Sequence, residues 1–495
     1  MKQFLEGVQY SGRYYTVNFP KRETIDHFQN NYSTARTRLD RKIAQLQRDP
    51  IAYSRYHKEI MKFVDSGFAA AVPPDEFPAL TRCDGSYFMP HHEAITSRPT
   101  GDRWRIVFDC SAKAGGQTSL NQHLLIGENP NPDLVTLLLN FRLRPVAVGA
   151  DIAGAYMTLR VAERDQRLSQ FLWRPPGSDE VHAFRMLRVT WGAASSGFLL
   201  AATIRHHLKR ADGIAAGLGA SLYADDCLQG FDTVAEAQQF TDAIREVLGS
   251  ADMKLAKWKS SSQEVLDHLA ASGVAPEDFD SAPGDLLKVL GVSWEPLRDR
   301  LRFVCPQRIR DLGLDGPVTK RGVLSAVASV SDPLGYLGPY LIRGKLIIQK
   351  LWTRKLEWNQ RIPAELESEL RAWAQEFRAF ENSDIDRRNT TRMETATRHR
   401  LHLFGDASPL AYAAAAYLER VYADGTNECS LLMAKSKLAP REHQSLPRLE
   451  LLAALIAVRL KNFLLERLDL KIDGVRFYTD SMIVYHWTTG AEPGS

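Results

Sequence analysis

Residues 221–228 read Ser-Leu-Tyr-Ala-Asp-Asp-Cys-Leu, and the adjacent acids Asp225 and Asp226 restrict the fold more than any other stretch of the chain. Apolar residues on both sides spell two short strands, so the acids fall at a tight turn between them. Two ionised carboxylates side by side repel, and half-burying them removes hydration that each needs unless a cation neutralises the pair. Hard oxygen ligands on a hairpin suit Mg²⁺, which keeps several waters and takes further ligands from substrate phosphates. A solvated Asp-Asp turn is the plain alternative, and a third acid in the right setting decides against it. Asp151 is that acid: it ends an apolar run of strand length, Pro145-Val-Ala-Val-Gly-Ala-Asp151. Three carboxylates around two metals are what in-line phosphoryl transfer requires, with one metal activating an attacking hydroxyl and the other steadying the leaving pyrophosphate.

A chain of 495 residues exceeds one ordinary domain, and its 44% hydrophobic content is enough to bury several cores. The net charge of +4 permits nucleic-acid binding without demanding it, so local clustering has to carry that argument. Cys83, Cys110, Cys227, Cys305 and Cys429 lie far apart with no Cys-x-x-Cys pair, which speaks against a zinc ribbon or a disulfide framework and fits a reducing compartment. No signal-peptide core and no run long enough for a membrane span is expected, and so a soluble, intracellular protein is.

Along the chain, residues 1–70 read as a strand pair followed by two helices. Ala35, Leu39, Ile43 and Leu46 recur at helical spacing, Asp49-Pro50 interrupts, and Tyr53, Tyr56, Ile60 and Phe63 resume before Gly67. Arg98, Arg103 and Arg105 flank a turn and feed a strand, where guanidinium forks reach a triphosphate from one side; a basic hairpin with no ligand fits the same letters. His91 and His92 lack a second ligand pair, so a hydrogen-bonding role is the better reading. Asn131-Pro-Asp-Leu134 through Leu143 reads as a capped helix leading into the Asp151 strand. Between Ile342 and Arg361, basic residues alternate with Trp352 and Trp358, which suits a helix that lays a basic face along a duplex or a merely solvated one. Residues 387–392, Arg-Arg-Asn-Thr-Thr-Arg, read as a polar linker. Beyond it Asp406 ends a strand, Glu450 lies in an early turn of a helix and Asp480 ends another strand, an ordered trio fit for two further metals.

Together these residues resemble the reverse transcriptase and ribonuclease H region of Bel-Pao class long-terminal-repeat retrotransposons. The most specific pieces are Asp151 with Tyr223-Ala-Asp-Asp226, Arg105-Ile-Val-Phe-Asp109, Ser331-Asp-Pro-Leu-Gly335 and Pro447-Arg-Leu-Glu450. The resemblance implies an α+β and α/β multidomain fold: a leader over 1–70, polymerase fingers and palm over 71–300, thumb and connection over 301–385, a linker over 386–398, and a ribonuclease H-like mixed sheet over 399–495. It implies that Asp151, Asp225 and Asp226 hold two Mg²⁺, with Mn²⁺ as a substitute, and that Asp406, Glu450 and Asp480 hold two more. Arg105, with Arg98 or Arg103 as a second, would contact the phosphates of the incoming deoxynucleoside triphosphate. Tyr156 would stack under its sugar, and Lys257 would sit near the pyrophosphate. The implied partners are an RNA template, a DNA primer and the RNA–DNA hybrid, in the cytoplasm or in virus-like particles, with no membrane. Two departures stand out. Gly197 occupies a place where the family has Pro, which loosens the turn before it. The chain also ends at Ser495, ahead of the helix that supplies the family's last acid, so hybrid cleavage is expected to be weak or absent. A decayed element product that only binds nucleic acid or protein is the rival reading, and a DNA-only polymerase is a second enzymatic one.

Overall fold

Apolar spacing sets the first elements. In the helix Tyr32–Leu46 the buried residues are Ala35, Leu39, Ile43 and Leu46, one stripe at the 3.6-residue period. Asp49 caps the next helix, Pro50–Asp65, by accepting from the amides of Ile51 and Ala52, while Pro50 fills the first helical position where no amide is needed. The expected strand pair is Gln9–Tyr10 with Tyr15–Val17, preceded by a short helix, Lys2–Gly7, that the sequence reading did not anticipate.

The computed structural model describes residues 1–96, 101–113, 116, 118–210, 218–279, 287–289, 292–312, 316–380, 383–392, 395–442 and 444–490. Arg98 lies outside the described residues. Two compact units form, one from 1–132, 151–225 and 240–256, the other from 133–150, 226–239 and 257–495.

In the first unit, Ala69–Ala71, His182–Met186 and Gln170–Trp173 make a three-stranded sheet, and His91–Thr96 pairs with Arg103–Phe108 as a hairpin. His91 bridges these parts. One ring nitrogen meets the Tyr56 hydroxyl at 2.6 Å and the other the Leu172 carbonyl at 2.9 Å, the hydrogen-bonding role expected of it. Burial pulls its pKa down to about 4, so the ring is neutral at ordinary pH.

The second unit carries a helical cluster and a larger sheet. Gly338–Thr353 packs on Ala364–Phe380 through Tyr340, Ile347, Leu351, Leu370, Trp373 and Phe377. Gly344 keeps this contact close, because a Cβ would stand 3.0 Å from the Trp373 ring. Part of the cationic face that the sequence suggests over 342–361 is taken up by ion pairs, while Lys345 is exposed. Arg343, Lys350 and Arg354 pair with Glu376, Glu369 and Glu365 of the neighbouring helix. Trp352 and Trp358 are both exposed and enclose the Lys320 ammonium, 3.6 Å from the Trp352 ring centre. The C-terminal sheet runs Asn427–Leu438, Ala411–Val421, Arg398–Ala407, Gly474–Tyr478; its first three strands are antiparallel and the last is parallel to its neighbour. Helix Leu446–Arg467 buries Leu449, Ala453, Ile456, Leu460 and Leu464 on one stripe.

The polar run 387–392 is no solvated linker at its start. Arg387 is fully buried and uses all five of its N–H donors. Nε and Nη2 grip the Asp299 carboxylate at 2.6 and 2.8 Å, Nη1 donates to the carbonyls of Phe141 and Arg144, and Nη2 donates to that of Pro145. Those carbonyls end the helix Leu134–Leu143 and lead into the strand Val146–Ile152 that carries Asp151.

Candidate active sites

Val146–Ile152 is buried at every position except Asp151, so the strand is held by its apolar side chains and presents one half-buried carboxylate near its end. It lies in a four-stranded sheet in the order Leu222–Tyr223, Asp226–Phe231, Val146–Ile152, Leu255–Ser260. The Ile152 amide donates to the Asp225 carbonyl at 2.8 Å, which fixes the residue after Asp151 against the acidic turn. Asp225 and Asp226 are half-buried, as the sequence reading expects of a turn between strands.

The turn is strained. Ala224 has φ of +53°, a left-handed conformation that costs a residue with a Cβ about 1 kcal/mol or more. Its amide donates to Asn131 Oδ1 at 3.0 Å, so a side chain from an Asn-Pro loop holds the strained residue in place. Sequence reasoning did not single out Asn131 or Ala224. The only available signal is the turn-forming Asn129-Pro-Asn131-Pro run, which says nothing of its partner.

Tyr156 sits on a short 3₁₀ turn, Ala155–Thr158, launched by Gly154 at φ +56°. Its hydroxyl pKa is raised, first by burial and then by the Asp225 charge, so the ring lies within electrostatic reach of that acid. A Cβ at Gly197 would come 4.0 Å from the Tyr156 hydroxyl, so the glycine leaves the space beside the ring open. The looseness expected from Gly197 is countered by other bonds. Asn121 donates to the Gly192 carbonyl and accepts from the Ala194 amide, at 2.9 and 2.8 Å, while the Ser196 hydroxyl donates to the Thr190 carbonyl at 2.6 Å. Arg105 is exposed, opposite Ala94 in the hairpin, and Arg103 is exposed two residues before it. Lys257 is exposed at φ +54° in the strand Leu255–Ser260.

The second carboxylate trio is tightly gathered. Asp406, Glu450 and Asp480 each offer an oxygen within 4.8 Å of the others. Gly405 makes this approach close: a Cβ there would sit 3.3 Å from the Ala453 backbone, so strand and helix meet where the acids flank the contact. Asp406 accepts from the Ala407 amide at 2.7 Å. Glu450 is buried, and its Oε2 has no hydrogen-bond partner. Its pKa is raised, first by burial and then by the charges of Asp406 and Asp480. An orphaned carboxylate oxygen facing two further acids is costly as it stands, and a hard divalent cation is the group whose binding removes that cost. The donor set therefore fits such an ion.

Residues 319–481 match the family described as the Pao retrotransposon-like RNaseH-like domain. The chain is also similar to three solved foamy viral structures. A protease-reverse transcriptase dRH in complex with dsDNA shares 14% identity at a TM-score of 0.52, over 87% of this chain and 63% of that one. A protease-reverse transcriptase in complex with RNA/DNA hybrid shares 16% at 0.51, over 90% of this chain and half of that one. A third, in complex with dsDNA, shares 15% at 0.52, over 88% and 75%. No curated protein matches the sequence. The likeness shows a common fold, mixed α/β with a ribonuclease H-like domain.

Proposed function

With residues 319–481 as a Pao retrotransposon-like ribonuclease H-like domain, in a chain with the fold of a viral reverse transcriptase, we propose that this protein copies retrotransposon RNA into DNA. The observation that carries this reading is the Ile152–Asp225 hydrogen bond, which joins the strand of the isolated acid to the turn of the paired ones. Asp151, Asp225 and Asp226 would hold Mg²⁺, which supplies Lewis acidity and charge neutralisation to the attack of a primer 3′-hydroxyl on the α-phosphate of a deoxynucleoside triphosphate. Around them, Arg105 offers a guanidinium fork to the triphosphate, and Lys257 a point charge to the departing pyrophosphate. Tyr156, within electrostatic reach of Asp225, bars a 2′-hydroxyl from the sugar position. Within this reading 71–300 serve as fingers and palm, 301–385 as thumb and connection, and 399 onward as the ribonuclease H-like module, acting in the cytoplasm.

Asp406, Glu450 and Asp480 form a second centre for cleaving the RNA of an RNA–DNA hybrid, with Glu450's unpartnered oxygen as a ligand position. The foamy viral proteins are bound to dsDNA and to RNA/DNA hybrid, which supports the same partners for this chain. Primer extension on poly(rA)–oligo(dT) tests the polymerase. Asp225→Asn is expected to lower it by at least ~100-fold, beyond the loss typical of outer-shell changes. A chain that binds template–primer equally well with or without the substitution, and extends in neither case, would instead be a binding protein. Extension on DNA but not RNA templates would make it a DNA-only polymerase.

A further inference from the structure

The first unit holds two arginines that face each other with no ion-pair partner among the described residues. Arg160 and Arg188 are directly opposite across an antiparallel bridge, bracketed by the bonds from Val161 N to Leu187 O and from Val189 N to Leu159 O, both 3.0 Å. Directly opposed like charges on neighbouring strands are destabilising. Thr16 continues the row, since it pairs with Arg160 in the parallel register of the next strand. The three side chains therefore share one face of the sheet, and they line a cavity of about 290 Å³ with Tyr14, Gly67 and Gln166.

Both guanidiniums are half-buried, and the Nε of each is buried with no hydrogen-bond partner. Among the described residues neither forms an ion pair. Asp252 acts on Arg188 from a distance, but its carboxylate is paired with Arg13 at 3.5 Å. Burial, and then the Arg160 charge, pull the Arg188 pKa down. Aromatic rings give partial relief: Arg160 lies 3.5 Å from the Tyr14 ring centre and Arg188 5.8 Å from that of Phe68. The rings carry no full negative charge, so the two guanidiniums still repel across the cavity that both line.

We propose that the cavity between Arg160 and Arg188 is a binding site for a dianionic phosphoryl group, held by both guanidinium forks and the Thr16 hydroxyl. A dianion cancels the repulsion between the two guanidiniums, and the cavity has room for a phosphoryl group together with part of the molecule that carries it. Free phosphate and the terminal phosphate of a nucleic acid share this chemistry.

Differential labelling of the full chain with p-hydroxyphenylglyoxal in Mg²⁺-free buffer, read by peptide mass spectrometry, tests it without altering the protein. Inorganic phosphate is expected to slow modification of Arg160 and Arg188, but not of exposed Arg82, relative to chloride at equal ionic strength. A 5′-phosphorylated oligonucleotide that protects where its dephosphorylated form does not identifies a nucleic-acid terminus as a source. Protection by neither phosphate nor the phosphorylated oligonucleotide overturns the proposal, as does equal protection by the dephosphorylated one. In a second measurement, Arg160→Gln/Arg188→Gln is expected to raise Tm in phosphate-free buffer and to abolish the saturable upward shift that phosphate gives the native chain. A lowered Tm with the phosphate shift intact would refute the site.

Discussion

Replacing Arg387 by Ala should be among the most damaging single changes in the second unit. The substitution strands the Asp299 carboxylate, whose two oxygens lose bonds of 2.6 and 2.8 Å, and leaves the carbonyls of Phe141, Arg144 and Pro145 without their donor. Breaking a buried ion pair from one side costs about 3–5 kcal/mol. Asp299 keeps some solvent access and the indole N–H of Trp294 at 3.0 Å, which places the loss near the middle of that range, about 4 kcal/mol. A cost of that size corresponds to a fall in Tm of about 8–16 °C. Urea unfolding followed by circular dichroism would measure it, with Arg387→Lys as the comparison. Lysine keeps the charge, but it has three donors in place of a five-donor fork and should recover only part of the loss. A double-mutant cycle with Asp299→Asn isolates the pair from the carbonyl contacts. If Arg387→Ala unfolds within about 1 kcal/mol of the native chain, as a surface substitution would, the clamp contributes nothing and the reasoning fails.

Three further outcomes follow from the sites. His91 has its pKa lowered from 6.5 to about 4 in the folded state, so the unfolded chain binds the extra proton first; stability should drain away by about 3 kcal/mol as pH falls from 6.5 to 4. A stability profile flat across that window, or unchanged in His91→Asn, would remove the assignment. Ala224→Gly relieves the left-handed strain at the acidic turn and should stabilise by up to about 1 kcal/mol, net of the glycine's greater chain freedom; a loss of more than that would show that the conformation is not strained. Tyr156→Ala should raise ribonucleotide relative to deoxynucleotide incorporation in primer extension, and an unchanged ratio would make the ring a packing residue only.

Periodicity made the local elements legible before any coordinates. The stripe of Ala35, Leu39, Ile43 and Leu46 and the capped helix after Asp133 appear where the letters put them. The trio Asp406, Glu450 and Asp480 could be read as well, because each acid follows or opens an apolar element whose identity is strong. Pairing at long range could not be read. Arg343, Lys350 and Arg354 each find a glutamate on the helix Ala364–Phe380, and composition carries no record of which side two helices share. The strand Asn427–Leu438 has only Leu432 and Met433 buried, too few apolar residues to announce twelve residues of sheet. Arg387 misleads for the same reason: in a run of Arg, Asn and Thr, solvation is the natural reading, and only its distant acceptors make burial affordable.

Those acceptors carry a further consequence for how the protein is made. Arg387 closes on carbonyls 242 to 246 residues earlier in the chain. At the ribosome's pace of about 5–20 residues per second, the end of the helix Leu134–Leu143 must wait on the order of 12–50 s for its clamp to be translated. During synthesis that segment is exposed to chaperones and proteases, and pauses in translation before codon 387 should lower the yield of native protein more than pauses after it.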